Sequence, residues 1–315
     1  MTSGGDAPGM NAAIRAVTRI ALLNGLRVVG VRHGYSGLVN GDFSELRAFS
    51  VSNIIQRGGT ILKTARSEEF RTPEGRAKAA TEMRRIGLDA LVLIGGDGTF
   101  EGGSVFYEEH GFPVVGVPST IDNDLVGTDW TIGYDTAVNT AIYNIDKIRD
   151  TADALERTFY IEVMGRSSGF IALDVGLSCG AEYIAIPEIE TRIDVLLELF
   201  RRQRATKRSN IIVVAENEES SGALDLAQRV KRENGIDYRV TILGHIQRGG
   251  SPTARDRILA SKLGAAAVQS LLDGKTCVMV GEVAGQICFT DMRTTWETSK
   301  PIDYTLVELA GLLAM

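Results

Sequence analysis

Short apolar runs rich in Val, Ile and Leu recur along the chain: VVGVR from Val28, ALVLIGG from Ala90, PVVGVPS from Pro113, FYIEVMG from Phe159, YIAIPE from Tyr183, NIIVVAE from Asn210 and RVTILGH from Arg239. Helical stretches separate them, which is the α/β pattern. Runs apolar on both faces suit strands covered on both sides in a largely parallel sheet. There are enough of them for two sheets, so the expected fold is two doubly wound, largely parallel-sheet lobes with the active site in a cleft. The chain is expected to cross near Gly133 and return near Gln247.

Polar, glycine-rich turns follow these strands: GGDGT after Ile94, PSTIDND after Val117, MGRSSG after Val163, AEN after Val214 and GHIQRGGSP after Leu243. In open α/β sheets ligands sit outside the carboxyl ends of the strands, where glycine backbones and helix N-termini turn N–H groups toward anions. The glycine placement therefore points to a phosphate ligand.

Composition narrows the class further. The 315 residues, 44% hydrophobic and 23% charged, suffice for two ordinary domains. A net charge of −6 carries no basic excess for nucleic acid or a membrane surface. Cys179, Cys277 and Cys288 are far apart and lack CxxC spacing, which suits buried thiols in a reducing compartment better than disulfides or zinc. With no long apolar span and no signal-like N-terminus, a cytoplasmic protein is expected.

Five segments carry candidate chemistry. TSGGDAPGMNAAIR runs from a glycine loop into a helix from about Met10 that closes near Gly25; Gly4 and Gly5 permit close backbone approach to an anion, and Arg15 and Arg19 share one helix face. IGGDGT places Asp97 among backbone amides, where a carboxylate can hold Mg²⁺ against phosphates. A dinucleotide fingerprint and a Walker loop are both missing. In PSTIDND, Asp122 and Asp124 stand two apart in an extended segment beside Thr120 and Asn123. One can deprotonate an attacking hydroxyl while the other, or Asp97, holds the metal; paired turn-capping aspartates are the plainer alternative. MGRSSG and GHIQRGGSP add Arg166, His245 and Arg248, with Arg157 and Arg239 nearby in sequence. Arginines at strand edges suit sugar phosphate binding, or salt bridges. His33, His110 and His245 have no metal spacing.

Together, TSGGDAPGMNAAIR, RGGTILKTAR, GGDGT, PSTIDNDLVGTDWTIGYDTA, EVMGRSSG, AIPE and LGHIQRGGSPTARDRILA resemble, in order and spacing, the bacterial-type ATP-dependent 6-phosphofructokinases over nearly the whole chain. The resemblance implies transfer of the γ-phosphoryl group of ATP, with Mg²⁺, to the 1-hydroxyl of fructose 6-phosphate. It implies Asp122 as general base with Thr120 and Asp124 beside it, and Arg166 stabilising the transition state. Nucleotide positions are Gly5, Arg66, Ser67, Arg71, Gly96, Asp97, Gly98 and Thr99, with Asp97 linked to Mg²⁺. Sugar phosphate positions are Thr120, Ile121, Asp122, Met164, Gly165, Arg166, Glu216, His245, Ile246, Gln247 and Arg248, joined by Arg157 and Arg239 from a neighbouring subunit of a homotetramer. Arg15, Arg19, Arg149, Glu182 and Lys207 match an effector site for ADP or phosphoenolpyruvate. The implied lobes are 1–133 with 247–298 for the nucleotide and 134–246 with 299–315 for fructose 6-phosphate.

Gly98 favours ATP, because pyrophosphate-dependent relatives carry aspartate there and a lysine at the position of Ser119. Lys63 stands where the family usually has glycine. Relatives also have a short apolar strand before the glycine loop; losing about three buried aliphatic side chains at roughly 2 kcal/mol each would use much of a typical stability of about 5–15 kcal/mol. The expectation is thus an upstream start or poor folding. A pyrophosphate-dependent enzyme and a non-catalytic sugar phosphate-binding subunit are the alternatives.

Overall fold

The computed structural model describes residues 1–203, 209–216 and 222–314. Its strands are β1 (Val29–Val31), β2 (Phe43–Glu45), β3 (Leu91–Gly95), β4 (Val114–Thr120), β5 (Ile132–Gly133), β6 (Thr158–Val163), β7 (Tyr183–Ala185), β8 (Asn210–Ala215), β9 (Tyr238–Ile242), β10 (Val278–Val283) and β11 (Gln286–Asp291). The helices are α1 (Met10–Leu23), α2 (Gly34–Asn40), α3 (Pro73–Ile86), α4 (Asp97–His110), α5 (Tyr134–Ala154), α6 (Phe170–Ser178), α7 (Ile193–Gln203), α8 (Gly222–Asn234), α9 (Ala254–Leu272), α10 (Thr294–Glu297) and α11 (Tyr304–Leu313). The chain divides into two units, Met1–Thr136 with Arg248–Lys300 and Ala137–Gln247 with Pro301–Met315. Among the described residues no helix is long and apolar enough to cross a membrane.

The first unit is built on a sheet of order β11-β10-β4-β3, with β5 also on β4. All its pairings are parallel except β10 with β11. β4 is buried along almost its whole length, as its unbroken apolar run predicts. Leu38, Met83, Leu93, Phe100, Phe106 and Met279 fill one core cluster beside this sheet. The VVGVR run does not join the parallel sheet; β1 pairs antiparallel with β2 as a separate two-stranded sheet. Met1 and Ser3 instead run beside β3. The Met1 ammonium donates to the Val92 carbonyl (2.8 Å), and Ile94 N donates to the Met1 carbonyl (2.9 Å). An apolar groove of about 340 Å³ lies alongside, lined by Met1, Ile14, Val31, Leu46, Leu91 and Val268 among others.

In the second unit the sheet order is β7-β8-β6-β9 and every pairing is parallel. Tyr160, Leu196, Phe200, Ile212, Ala227 and Val230 form its core cluster.

Helix ends follow local chemistry. α1 begins after Gly9, whose φ of 114° is open to glycine, and ends in a Schellman turn in which Gly25 N bonds Leu22 O and Leu26 N bonds Ala21 O. The first turn of α5 is satisfied from a distance. Asp256, 1% exposed, accepts hydrogen bonds from Gly133 N (2.8 Å), Thr136 N (2.9 Å) and the Thr136 hydroxyl (2.5 Å). Burial pushes its carboxyl above the usual range, against the opposing effect of these donors. The cysteines are free but only half-buried, a correction to the expectation of buried thiols, and burial raises Cys179 to about 11.

Candidate active site

Four turns of the first unit converge at the carboxyl ends of β3 and β4. A Cβ placed on Gly4 would lie 3.5 Å from the Thr99 hydroxyl, one on Gly96 would lie 3.7 Å from Thr120 Cβ, and one on Gly5 would lie 2.0 Å from Arg248 Nη1. The glycine loop, the first turn of α4, the end of β4 and the arginine after Gln247 are thus mutual neighbours. At Gly4 a φ of 83° favours glycine, and at Gly5 a side chain would enter the space taken by the Arg248 guanidinium. Arg248 Nε is buried with no acceptor among the described residues, and its guanidinium lies in the space that Gly5 leaves.

Asp97 is the first residue of α4, exposed, with its Oδ1 accepting from Gly98 N (2.7 Å). The described residues contain no cluster of three or more His, Cys, Asp or Glu fit to hold a metal. A carboxylate at a helix N-terminus suits Mg²⁺, which takes few protein ligands and completes its shell with phosphate oxygens and water. A Cβ on Gly98 would meet no heavy atom within 4 Å, so that side of the helix start is open.

Asp122 is 7% exposed. The Thr120 hydroxyl accepts from Asp122 N (3.2 Å) and donates to Asp122 Oδ2 (3.4 Å), so the threonine sets the orientation of the carboxylate. Ile121 is buried and Asp124 half-buried in the same turn.

The segment carrying the predicted nucleotide arginines is tied to this site by residues that were not predicted. Buried Asn11 donates to the carbonyls of Arg57 (3.0 Å) and Gly58 (3.2 Å) and accepts from Ile61 N (2.8 Å). Thr64 donates to Gly4 O (2.6 Å), and Thr2 donates to Lys63 O (2.9 Å). Lys63 has φ 61°, the left-handed region that favours glycine. Arg66 and Arg71 are exposed, Arg71 facing Glu68 at 3.7 Å, and Ser67 caps the following turn by accepting from Phe70 N (3.2 Å).

In the second unit, residues gather at the carboxyl ends of β6 and β8. Gly165 (φ 146°) and Arg166 (φ 53°) turn the chain sharply. Arg166 N donates to Glu216 Oε1 (3.1 Å), and Met164 N to Oε1 of fully buried Gln247 (2.9 Å). Glu188, which ends the AIPE segment and was given no role there, accepts from Gly169 N (2.8 Å). His245 and Ile246 are exposed in the turn that follows β9. Arg157 and Arg239 do not join this group. Arg157 precedes β6 and Arg239 is second in β9, opposite Phe159, so both lie at the other end of the sheet.

Of the predicted effector residues, Arg149 and Glu182 meet in the second unit, Nη1 to Oε1 at 3.7 Å, while Arg149 Nη2 also donates to Cys179 O (2.5 Å). Arg15 and Arg19 lie on α1 of the first unit. Lys207 lies outside the described residues.

The Phosphofructokinase family model matches residues 1–271. A Thermus thermophilus protein described as ATP-dependent 6-phosphofructokinase 1 is 57% identical over 315 residues, covering 100% of this chain and 98% of that protein. The chain belongs to the phosphofructokinase family. Another relative, ATP-dependent 6-phosphofructokinase 2 of Bacteroides thetaiotaomicron, is 54% identical across 100% of this chain and 97% of its own length. Among solved structures, a Saccharomyces cerevisiae phosphofructokinase superposes with TM-score 0.88 at 36% identity; this phosphofructokinase-family chain is matched throughout but spans only 47% of the yeast chain. A pyrophosphate-dependent phosphofructokinase of Marinobacter aquaeolei shares the fold at TM-score 0.83 and 23% identity, over 96% of this chain and 84% of that one.

Proposed function

We propose that the protein is an ATP-dependent 6-phosphofructokinase that converts ATP and D-fructose 6-phosphate to ADP and D-fructose 1,6-bisphosphate, the committed step of glycolysis. The observation that carries this reading is the convergence of the glycine loop, the α4 start, the Thr120–Asp122 turn and Arg248, in a chain 57% identical to a protein described by that activity.

The unit formed by Met1–Thr136 and Arg248–Lys300 takes the phosphoryl donor, and the unit formed by Ala137–Gln247 and Pro301–Met315 takes the sugar phosphate. Backbone groups at Gly5 and at the start of α4 hold phosphates, since glycines permit close approach and the dipole of a helix N-terminus favours negative charge. Asp97 would hold Mg²⁺ together with the phosphates, and the ion would supply positive charge for the transferring group. Asp122, oriented by Thr120, accepts the proton of the sugar 1-hydroxyl, with Asp124 beside it. Arg166 stabilises the transition-state charge and Arg248 binds the sugar phosphate, both as permanently charged donors. Asp122→Ser tests the base: turnover should vanish while fructose 6-phosphate binding by calorimetry stays nearly intact, and unchanged turnover would remove Asp122 from that role.

The position of Arg157 and Arg239, at the sheet end opposite Arg166, supports their serving a neighbouring subunit of a homotetramer. Arg15, Arg19, Arg149, Glu182 and Lys207 correspond to the family's effector site at a subunit interface, which takes ADP or phosphoenolpyruvate.

A further inference from the structure

The turn that carries Asp122 contains a residue in an unfavourable backbone conformation for which the reaction has no direct use. Asn123 has φ 55° and is 5% exposed. Outside glycine the left-handed region is uncommon; asparagine tolerates it best, and such a residue persists where its surroundings over-determine it. Here they do. Asn123 Oδ1 accepts from Thr131 N (2.9 Å), and its Nδ2 donates to Asp129 O (3.2 Å). Thr131, fully buried, donates its hydroxyl to Thr120 O (2.7 Å), closing a ring of contacts around the turn.

The far side of the ring is anchored on the β10–β11 hairpin. Asp129 N donates to Glu282 O (2.9 Å), Ala284 N donates to Asp129 Oδ2 (2.7 Å), and Glu282 N donates to the Thr128 hydroxyl (3.2 Å). Lys300 Nζ adds a bond to Asp129 O (2.9 Å). Packing leaves no slack: a Cβ on Gly281 would lie 1.9 Å from Gly127 O. The turn is therefore fixed by a second, remote element before any substrate arrives.

We infer that Asn123 is a positioning residue for phosphoryl transfer, its side-chain amide locking the 120–124 turn onto Asp129 and Thr131 so that the Asp122 carboxylate is held in its reactive orientation. This rests on Asp122 being the base. The left-handed residue sets the direction in which the chain leaves Asp122, and the amide fixes that direction against the hairpin. Because misplacing a reacting group by about 1 Å can cost roughly 100-fold in rate, the loss should fall on turnover and not on substrate binding.

The test is steady-state kinetics of the full-length enzyme and of Asn123→Gly, which keeps the left-handed backbone available and deletes the amide. Thr131→Val is the companion; it leaves Asn123 in place and removes the hydroxyl bond to Thr120. The expected result is a fall in kcat of roughly 10- to 100-fold for Asn123→Gly, with KM for ATP and fructose 6-phosphate changed less than about threefold and calorimetric binding stoichiometry unchanged. Thr131→Val should lower kcat in the same sense, with little further loss in the double variant. An unchanged kcat in folded Asn123→Gly overturns the inference, and so does a loss confined to KM or to the fraction of folded sites. If Asn123→Gly fails to fold, Thr131→Val decides by the same criteria. Asp122→Ser separates the two readings: inactive Asp122→Ser with full-speed Asn123→Gly sinks the positioning role alone, whereas active Asp122→Ser sinks the base and with it this inference.

Discussion

Substituting Gly5 by alanine is expected to damage sugar phosphate binding through Arg248, a residue 243 positions away in sequence. Gly5 does not occupy the left-handed region, so a methyl group adds no backbone strain. Its Cβ would instead lie 2.0 Å from Arg248 Nη1, 3.0 Å from Cζ and 3.4 Å from Nη2. To restore ordinary contact the guanidinium must retreat by roughly 1.5 Å. The clash is with the end of a flexible side chain, so the cost in stability should stay near 1 kcal/mol, about one off-rotamer adjustment. The cost in function is larger. A hydrogen bond to a charged group contributes about 1.5–3 kcal/mol, and its loss raises KM for fructose 6-phosphate roughly 10- to 150-fold at about 1.4 kcal/mol per decade. Gly5 also belongs to the glycine loop proposed to hold the nucleotide phosphates, so the assay is a double-mutant cycle with Arg248→Ala, following KM for each substrate and thermal stability. In the Arg248→Ala background Gly5→Ala should add almost nothing to KM for fructose 6-phosphate. A folded Gly5→Ala with unchanged KM, or a loss that simply adds to that of Arg248→Ala, would refute the reasoning.

Gly98→Asp should fold as well as the parent, since a Cβ there meets no heavy atom within 4 Å. A new carboxylate at the α4 start should nonetheless lower kcat/KM for ATP at least about 10-fold by repulsion, while the inhibition constant of pyrophosphate against ATP changes less; an equal loss of affinity for both would contradict the steric and charge argument. Arg76 donates to the Phe70 and Arg71 carbonyls and pairs with Glu109 at 2.6 Å, bracing the segment that carries Arg66 and Arg71. Arg76→Ala should cost about 2–4 kcal/mol in urea unfolding, because it leaves buried acceptors unpaired. The hydrogen bond and charge of Arg76 hold the Glu109 carboxyl below its ordinary 4.5. A carboxyl lowered in the folded state stabilises above its unfolded pKa and loses that contribution as pH falls through the folded one. Stability should therefore drop from about pH 5 downward, and Glu109→Gln should flatten that limb.

The parallel strands were legible because a strand buried on both faces leaves an unbroken apolar run, as in β3, β4, β6 and β8. The β10–β11 hairpin was not. β11 alternates exposed and half-buried positions, and its turn is Ala284–Gly285, both with positive φ but without the Asn-Gly or Asp-Gly signal that marks such turns. β1 looked like a sheet strand because VVGVR is apolar, and only the antiparallel partner at Phe43–Glu45 shows otherwise. At the site, glycine turns and the Asp122 segment announce themselves locally. The roles of Asn11, Asn123, Glu188 and Asp256 do not, because each residue acts on backbone groups brought close only by folding; Asp256 serves Gly133 from 123 residues away. The opposite placement of Arg157 and Arg239 likewise depends on β6–β9 register, which no local pattern encodes.

The central claim is tested most directly by purifying the chain and following fructose 1,6-bisphosphate formation from fructose 6-phosphate and Mg²⁺ with either ATP or pyrophosphate. Turnover with ATP and none with pyrophosphate is the predicted result. Turnover with pyrophosphate alone would overturn the donor assignment, and no turnover with either donor by a folded chain that binds fructose 6-phosphate would favour a non-catalytic binding subunit.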